Sequence, residues 1–120
     1  RERIKKAGQE PTYGLHRKKQ MPFFRMFRRE IFGEEGLSDD SISVLVRLTT
    51  EVYATIKREV QLTGFWESIP ARNQLRAEIQ RILVGAEFIK LPNLVRNRAH
   101  IISRAMEIAE SKTDTILYAE

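Results

Sequence analysis

The stretch "LSDDSISVLVRLTTEVYATIKREVQLTG", residues 37–64, decides the fold. Its first half reads two ways. Ile42, Val44, Val46 and Leu48 alternate, and β-branched residues are frequent, as in a half-buried strand. Over the whole stretch, however, apolar side chains recur at Leu45, Leu48, Val52, Ile56 and Val60, with Ile42 and Tyr53 flanking them, and this is a helical stripe. Length arbitrates, because the run from Leu37 to Thr63 contains neither Gly nor Pro and exceeds the usual extent of a strand. Ser38 suits an N-cap, Asp39 and Asp40 complement the positive end of the helix dipole, and Gly64 closes the element. A long helix at the centre of the chain follows.

Working outward, "MPFFRMFRREIFG" (21–33) places apolar residues at 23, 24, 26, 27, 31 and 32. The spacing predicts a short helix that buries Phe23, Phe27 and Ile31 and turns Arg25, Arg28 and Arg29 outward. On the other side, Ser68 caps a helix with Pro70 in its first turn, where a missing N–H costs nothing. Leu75, Ile79, Ile82 and Leu83 form its stripe, with Arg72, Arg76, Glu78 and Arg81 off it, and Gly85 ends it. "AEFIKLP" (86–92) reads as a short apolar connector, with an extended conformation allowed. Pro92 and Asn93 open a last helix, whose stripe is Leu94, Ile101, Ile102, Ala105, Ile108 and Ala109. The tail "TILYAE" is expected to fray or to pack against a neighbour. The reading is all-α: a compact bundle of about four helices, preceded by a basic, loosely ordered segment.

At the N-terminus, "RERIKKA" reads as the last turns of a helix stopped at Gly8, and "GQEPTYGLHRKKQMP" as a connector with two Gly and two Pro. Residues 1–21 are therefore assigned as a basic linker from a preceding domain and 22–120 as a helical C-terminal domain. The lack of an initial Met fits a piece of a longer protein. Charge divides along the same line. Residues 1–29 carry ten Lys and Arg against two Glu, while the remainder carries eleven against fourteen acidic residues, so the net charge of +5 originates in the first quarter of the chain.

Little in the composition points to catalysis. His16 and His100 are the two histidines and have no metal-ligand spacing; no phosphate-binding loop or nucleophile motif is present. The adjacent pairs Glu34–Glu35 and Asp39–Asp40 read as a solvated turn and a dipole complement. The expectation is a domain without catalytic, cofactor-binding or metal-binding residues. No apolar run is long enough for a membrane span, no signal peptide is apparent, and the lack of Cys fits a reducing, cytoplasmic setting.

Two features could bind a partner. Phe65 and Trp66 stand where one helix turns into the next. They can fill that joint, dock a partner or stack on bases, with core filling and docking ahead of stacking. Arg17, Lys18, Lys19, Arg25, Arg28 and Arg29 lie close to three Phe. They could track DNA phosphates or face an acidic protein, or they could simply be a solvated basic surface.

The order "LSDDSISVLVRLTTEVYATIKREVQLTGFWESIPARNQLRAEIQRILV" and then "LPNLVRNRAHIISRAMEIAES" resembles the C-terminal region of the type I restriction enzyme R subunit (HsdR), over roughly residues 22–112. The landmark is the aromatic pair Phe65–Trp66, followed by an element similar to "LRAEIQRIL" that contributes Leu75, Ile79 and Ile82, and then by a terminal helix. "MPFFRMFRREIFG" is similar to a further segment of that family. The resemblance implies a parent subunit with an upstream nuclease and an ATP-dependent DNA translocase, using ATP and Mg2+. None of those motifs occurs in this chain. It further implies that this region docks the motor subunit onto the methyltransferase (M) and specificity subunits. The expected function is thus an assembly domain, and the alternative is a basic helical module that contacts DNA through residues 16–29. Salt separates them, since contact with about six phosphates gives a log–log slope near −5, whereas an apolar interface responds weakly.

Overall fold

Residues 39–60 are helical and no strand forms within 37–64. In the computed structural model, which describes residues 11–34 and 36–118, the central helix runs Asp39–Val60. The Ser38 hydroxyl accepts from the Ser41 N–H at 3.1 Å, and Asp39 and Asp40 occupy the first turn. The alternating β-branched residues near its start are accommodated because Leu45, Leu48, Val52, Ile56 and Val60 fall on one face and are buried. Burial at period 3.6 outweighs the local β preference.

Five helices are present among the described residues: α1 (Met21–Phe32), α2 (Asp39–Val60), α3 (Ile69–Leu83), α4 (Leu94–Ser111) and α5 (Thr113–Tyr118), with a 3₁₀ turn at Phe65–Glu67. Each of α1 to α4 packs on its neighbour in sequence, and α1 also packs on α4, so the four close into a bundle; α5 rests on α2 and α4. Fully buried Phe23, Phe27, Ile31, Leu45, Ile56, Leu75, Ile79, Leu94 and Ile101 fill its centre. Burying such side chains contributes about 1.5–3 kcal/mol each.

Helix α1 buries more than its narrow stripe. Met21, Phe24, Met26 and Phe32 are covered together with Phe23, Phe27 and Ile31, leaving Arg25 and Arg29 exposed and Arg28 half-buried. The turn before it is closed by hydrogen bonds. His16 Nδ1 accepts from the N–H groups of Lys18 and Lys19, both at 3.2 Å, and the Gln20 Oε1 accepts from the His16 N–H at 2.7 Å. This reciprocal pattern resembles a capping box and feeds the chain into α1. The helix expected over "RERIKKA" lies outside the described residues.

Two connections differ from expectation. Residues 86–92 are not extended. The Gly85 carbonyl accepts from Phe88 and Ile89, and the Phe88 carbonyl from Leu91, so the segment curls and delivers Phe88 into the core at 3% exposure. Over its described part the tail does not fray but packs on α2 and α4. Residues 113–118 form α5, and Ile116 is fully buried. One apolar side chain with a place to go is enough to order a turn too short to be stable alone. In α3, Leu75, Ile79 and Leu83 are buried while Ile82 sits at the edge; in α4, Met106 joins the core and Ile108 is half-buried.

Candidate interaction surfaces

The Trp66 end is built from three elements. Gly64, at φ 75°, adopts the left-handed conformation that turns the chain out of α2, an angle that costs Gly little. Phe65 follows and is 2% exposed, so it belongs to the core. The Trp66 ring meets it edge to face, with centroids 4.8 Å apart and planes at 87°. Trp66 Nε1 donates to Thr113 Oγ1 at 2.8 Å, and Thr113 Oγ1 donates in turn to the Ala109 carbonyl at 2.7 Å. Trp66 therefore ties the 3₁₀ turn to the α4–α5 junction while one side of its ring stays accessible. A shallow groove of about 290 Å³ opens there, lined by Leu62, Gly64, Trp66, Thr113, Leu117 and Tyr118 among others. Leu62 is 60% and Tyr118 74% exposed, so two large apolar groups stand together at this groove.

The second surface is the outer face of α1. Arg25, Arg28 and Arg29 line a cleft of about 450 Å³ with Tyr13, Phe24 and Glu34. Tyr13 packs on Phe24, with ring centroids 5.5 Å apart, and remains 43% exposed. Arg25 and Arg29 also form one wall of a smaller cleft of about 100 Å³, where Arg104 of α4 stands with Glu30 and Ile108. Arg104 donates to Glu107 at 2.5 Å. Glu30 faces His100 across the helix pair, with Nε2 and Oε2 3.3 Å apart.

Helices α1 and α4 are held in register by two asparagines. Asn97 Nδ2 donates to the Glu30 carbonyl and Asn93 Nδ2 to the Ile31 carbonyl, each at 2.9 Å. These are end carbonyls of α1, which have no partner within their own helix. Asn93 reaches them from a left-handed conformation at φ 62°, which Asn tolerates better than most residues.

The sequence-predicted residues are thus distributed unevenly. Arg25, Arg28 and Arg29 come together, while Arg17, Lys18 and Lys19 lie on the turn before α1, with Lys18 and Arg17 exposed and Lys19 half-buried. Phe65 and Trp66 share a joint but divide in exposure. Sequence reasoning missed Leu62, Tyr118, Tyr13 and Arg104. Leu62 left a signal, since it is an apolar residue off the α2 stripe, two residues before Gly64. Among the described residues, no group of three His, Cys, Asp or Glu could hold a metal ion, and no helix is long and apolar enough to cross a membrane. No known protein family, curated protein or solved structure matches the chain.

Proposed function

We propose that this chain is the C-terminal helical assembly domain of a type I restriction enzyme R subunit, that it docks the motor subunit onto the methyltransferase–specificity core, and that it carries out no chemistry itself. ATP and Mg2+ would serve the parent subunit elsewhere. The observation that carries the reading is the groove at the Trp66 end. Leu62 and Tyr118 are exposed around a Trp fixed from behind by Phe65 and Thr113. A pre-positioned aromatic with apolar neighbours loses little side-chain entropy on binding, which is how a few residues come to dominate an interface. The sequence resemblance, with Phe65–Trp66 as its landmark, supplies the partner.

The test is capture of purified methyltransferase–specificity core by the chain and by a Leu62→Asp/Tyr118→Asp variant. The expected result is capture by the parent chain, at least tenfold weaker capture by the variant, and an unchanged melting temperature. Failure of the parent chain to bind the core would reject the assembly role, and equal capture by both would reject the groove.

A further inference from the structure

We propose that the arginine face of α1, completed by Arg104 of α4, holds the phosphodiester backbone of a nucleic acid. This inference is independent of the docking groove and rests on different residues. Arg25 and Arg29 are one turn apart, about 6 Å along the helix axis, and both project from the exposed face. They form a shared ridge between two clefts. On one side Arg28 joins them and on the other Arg104, so four arginines from two helices line two clefts that share Arg25 and Arg29. The Asn93 and Asn97 bonds to the end of α1 fix the two helices that carry them.

Two carboxylates border the surface, Glu34 in the larger cleft and Glu30 in the smaller. Glu30 also faces His100 of α4, and among the described residues of this surface four arginines stand against two carboxylates. Arg104 keeps Glu107, and Arg25 and Arg28 make other contacts too. A guanidinium has five N–H donors, however, so one contact leaves donors for a phosphate. All four cations are Arg, whose planar fork meets phosphate oxygens bidentately. Tyr13 gives the choice its direction. It presents an exposed aromatic ring beside the arginines, on which a base can stack, whereas a carboxylate meets the negative face of the ring.

Fluorescence anisotropy with a labelled 20-nucleotide single strand and the matching duplex, titrated between about 50 and 250 mM salt, tests this. Four neutralised phosphates predict a log–log slope of about −3.6 for duplex and about −2.8 for single strand. Arg29→Ala/Arg104→Ala should weaken binding at least tenfold at the low-salt end and reduce the magnitude of the slope by about 2. Arg58→Ala/Arg81→Ala, which removes exposed arginines from α2 and α3, should change the slope by less than about 0.5. Tyr13→Ala distinguishes the two forms of ligand, because loss confined to the single strand assigns the site to unpaired bases, and equal retention assigns it to duplex backbone. No binding at about 50 mM salt overturns the proposal. So does an equal effect of the two arginine pairs, which would make the attraction a property of net charge. Melting of each variant is followed alongside, and Arg29→Lys/Arg104→Lys, which keeps charge but loses the fork, should recover the slope if the first pair is perturbed in folding.

Discussion

The α1 face and the Trp66 end are built on opposite plans. On α1, three arginines lie off the buried face of one regular helix, and the exposure of Arg25 and Arg29 follows from the helical period. At the Trp66 end, no single element decides which residue is outside. Phe65 and Trp66 are adjacent, yet the first is core and the second half-buried, because their turn packs on α2 and α3 while Trp66 bonds to Thr113 at the α4–α5 junction. A charged helix face can be read from spacing. The exposure of an aromatic at a joint depends on what folds back behind it.

The largest effect that would break this contrast comes from Trp66→Ala. Loss of the ring and of the bond to Thr113 should cost about 3 kcal/mol, read as a shift of the urea midpoint. An unchanged midpoint would mean that the joint stands without Trp66 and that the aromatic serves binding alone. Next is Asn97→Ala, expected to cost about 2 kcal/mol by stranding the Glu30 carbonyl, and to weaken the α1 platform without touching an arginine. Amide hydrogen exchange across α1 would localise the loss.

Tyr53 sharpens the picture from α2, which faces both regions. Its ring meets Phe23 edge-on, with centroids 6.3 Å apart, and its buried hydroxyl has no partner among the described residues. Burial pushes that hydroxyl up from the ordinary 10.0. The folded state therefore favours neutral Tyr53. Its contribution to stability is complete below pH about 10 and is lost as the pH rises through the higher folded value. Tyr53→Phe should leave stability at pH 7 unchanged or raise it by up to about 1 kcal/mol, and should lessen the alkaline loss in a pH series of melting curves. The smallest effect is expected from Arg29→Ala/Arg104→Ala, within about 0.5 kcal/mol in either direction, because Arg29 is exposed and the half-buried Arg104 gives up only a surface ion pair with Glu107. A larger cost would turn the arginine face into part of the structural frame.

Much of the helical framework was legible. Ser38 and Ser68 cap the helices that their positions announced, and the α2 stripe is buried residue by residue. Helix α5 was not legible, because six residues carry too little periodicity and its order depends on a socket for Ile116. Phe88 was hidden for a similar reason, since a curled connector has no period to betray an inward residue. Of the candidate surfaces, the arginines of α1 were visible, whereas Arg104 could not be joined to them from a position so distant in the chain.

By itself, then, the sequence determined the helical class, the starts of α2 and α3, and which side of α1 is charged. These are local matters of period, caps and turn residues, each settled within a few residues. Only the tertiary structure decided that Arg104 stands beside Arg25 and Arg29, that asparagines from α4 finish the end of α1, and that Trp66 is anchored while Leu62 and Tyr118 are left outside. The physical reason is that each of these depends on how two helices meet, and meeting is set by the fit of whole buried faces rather than by any short stretch of chain.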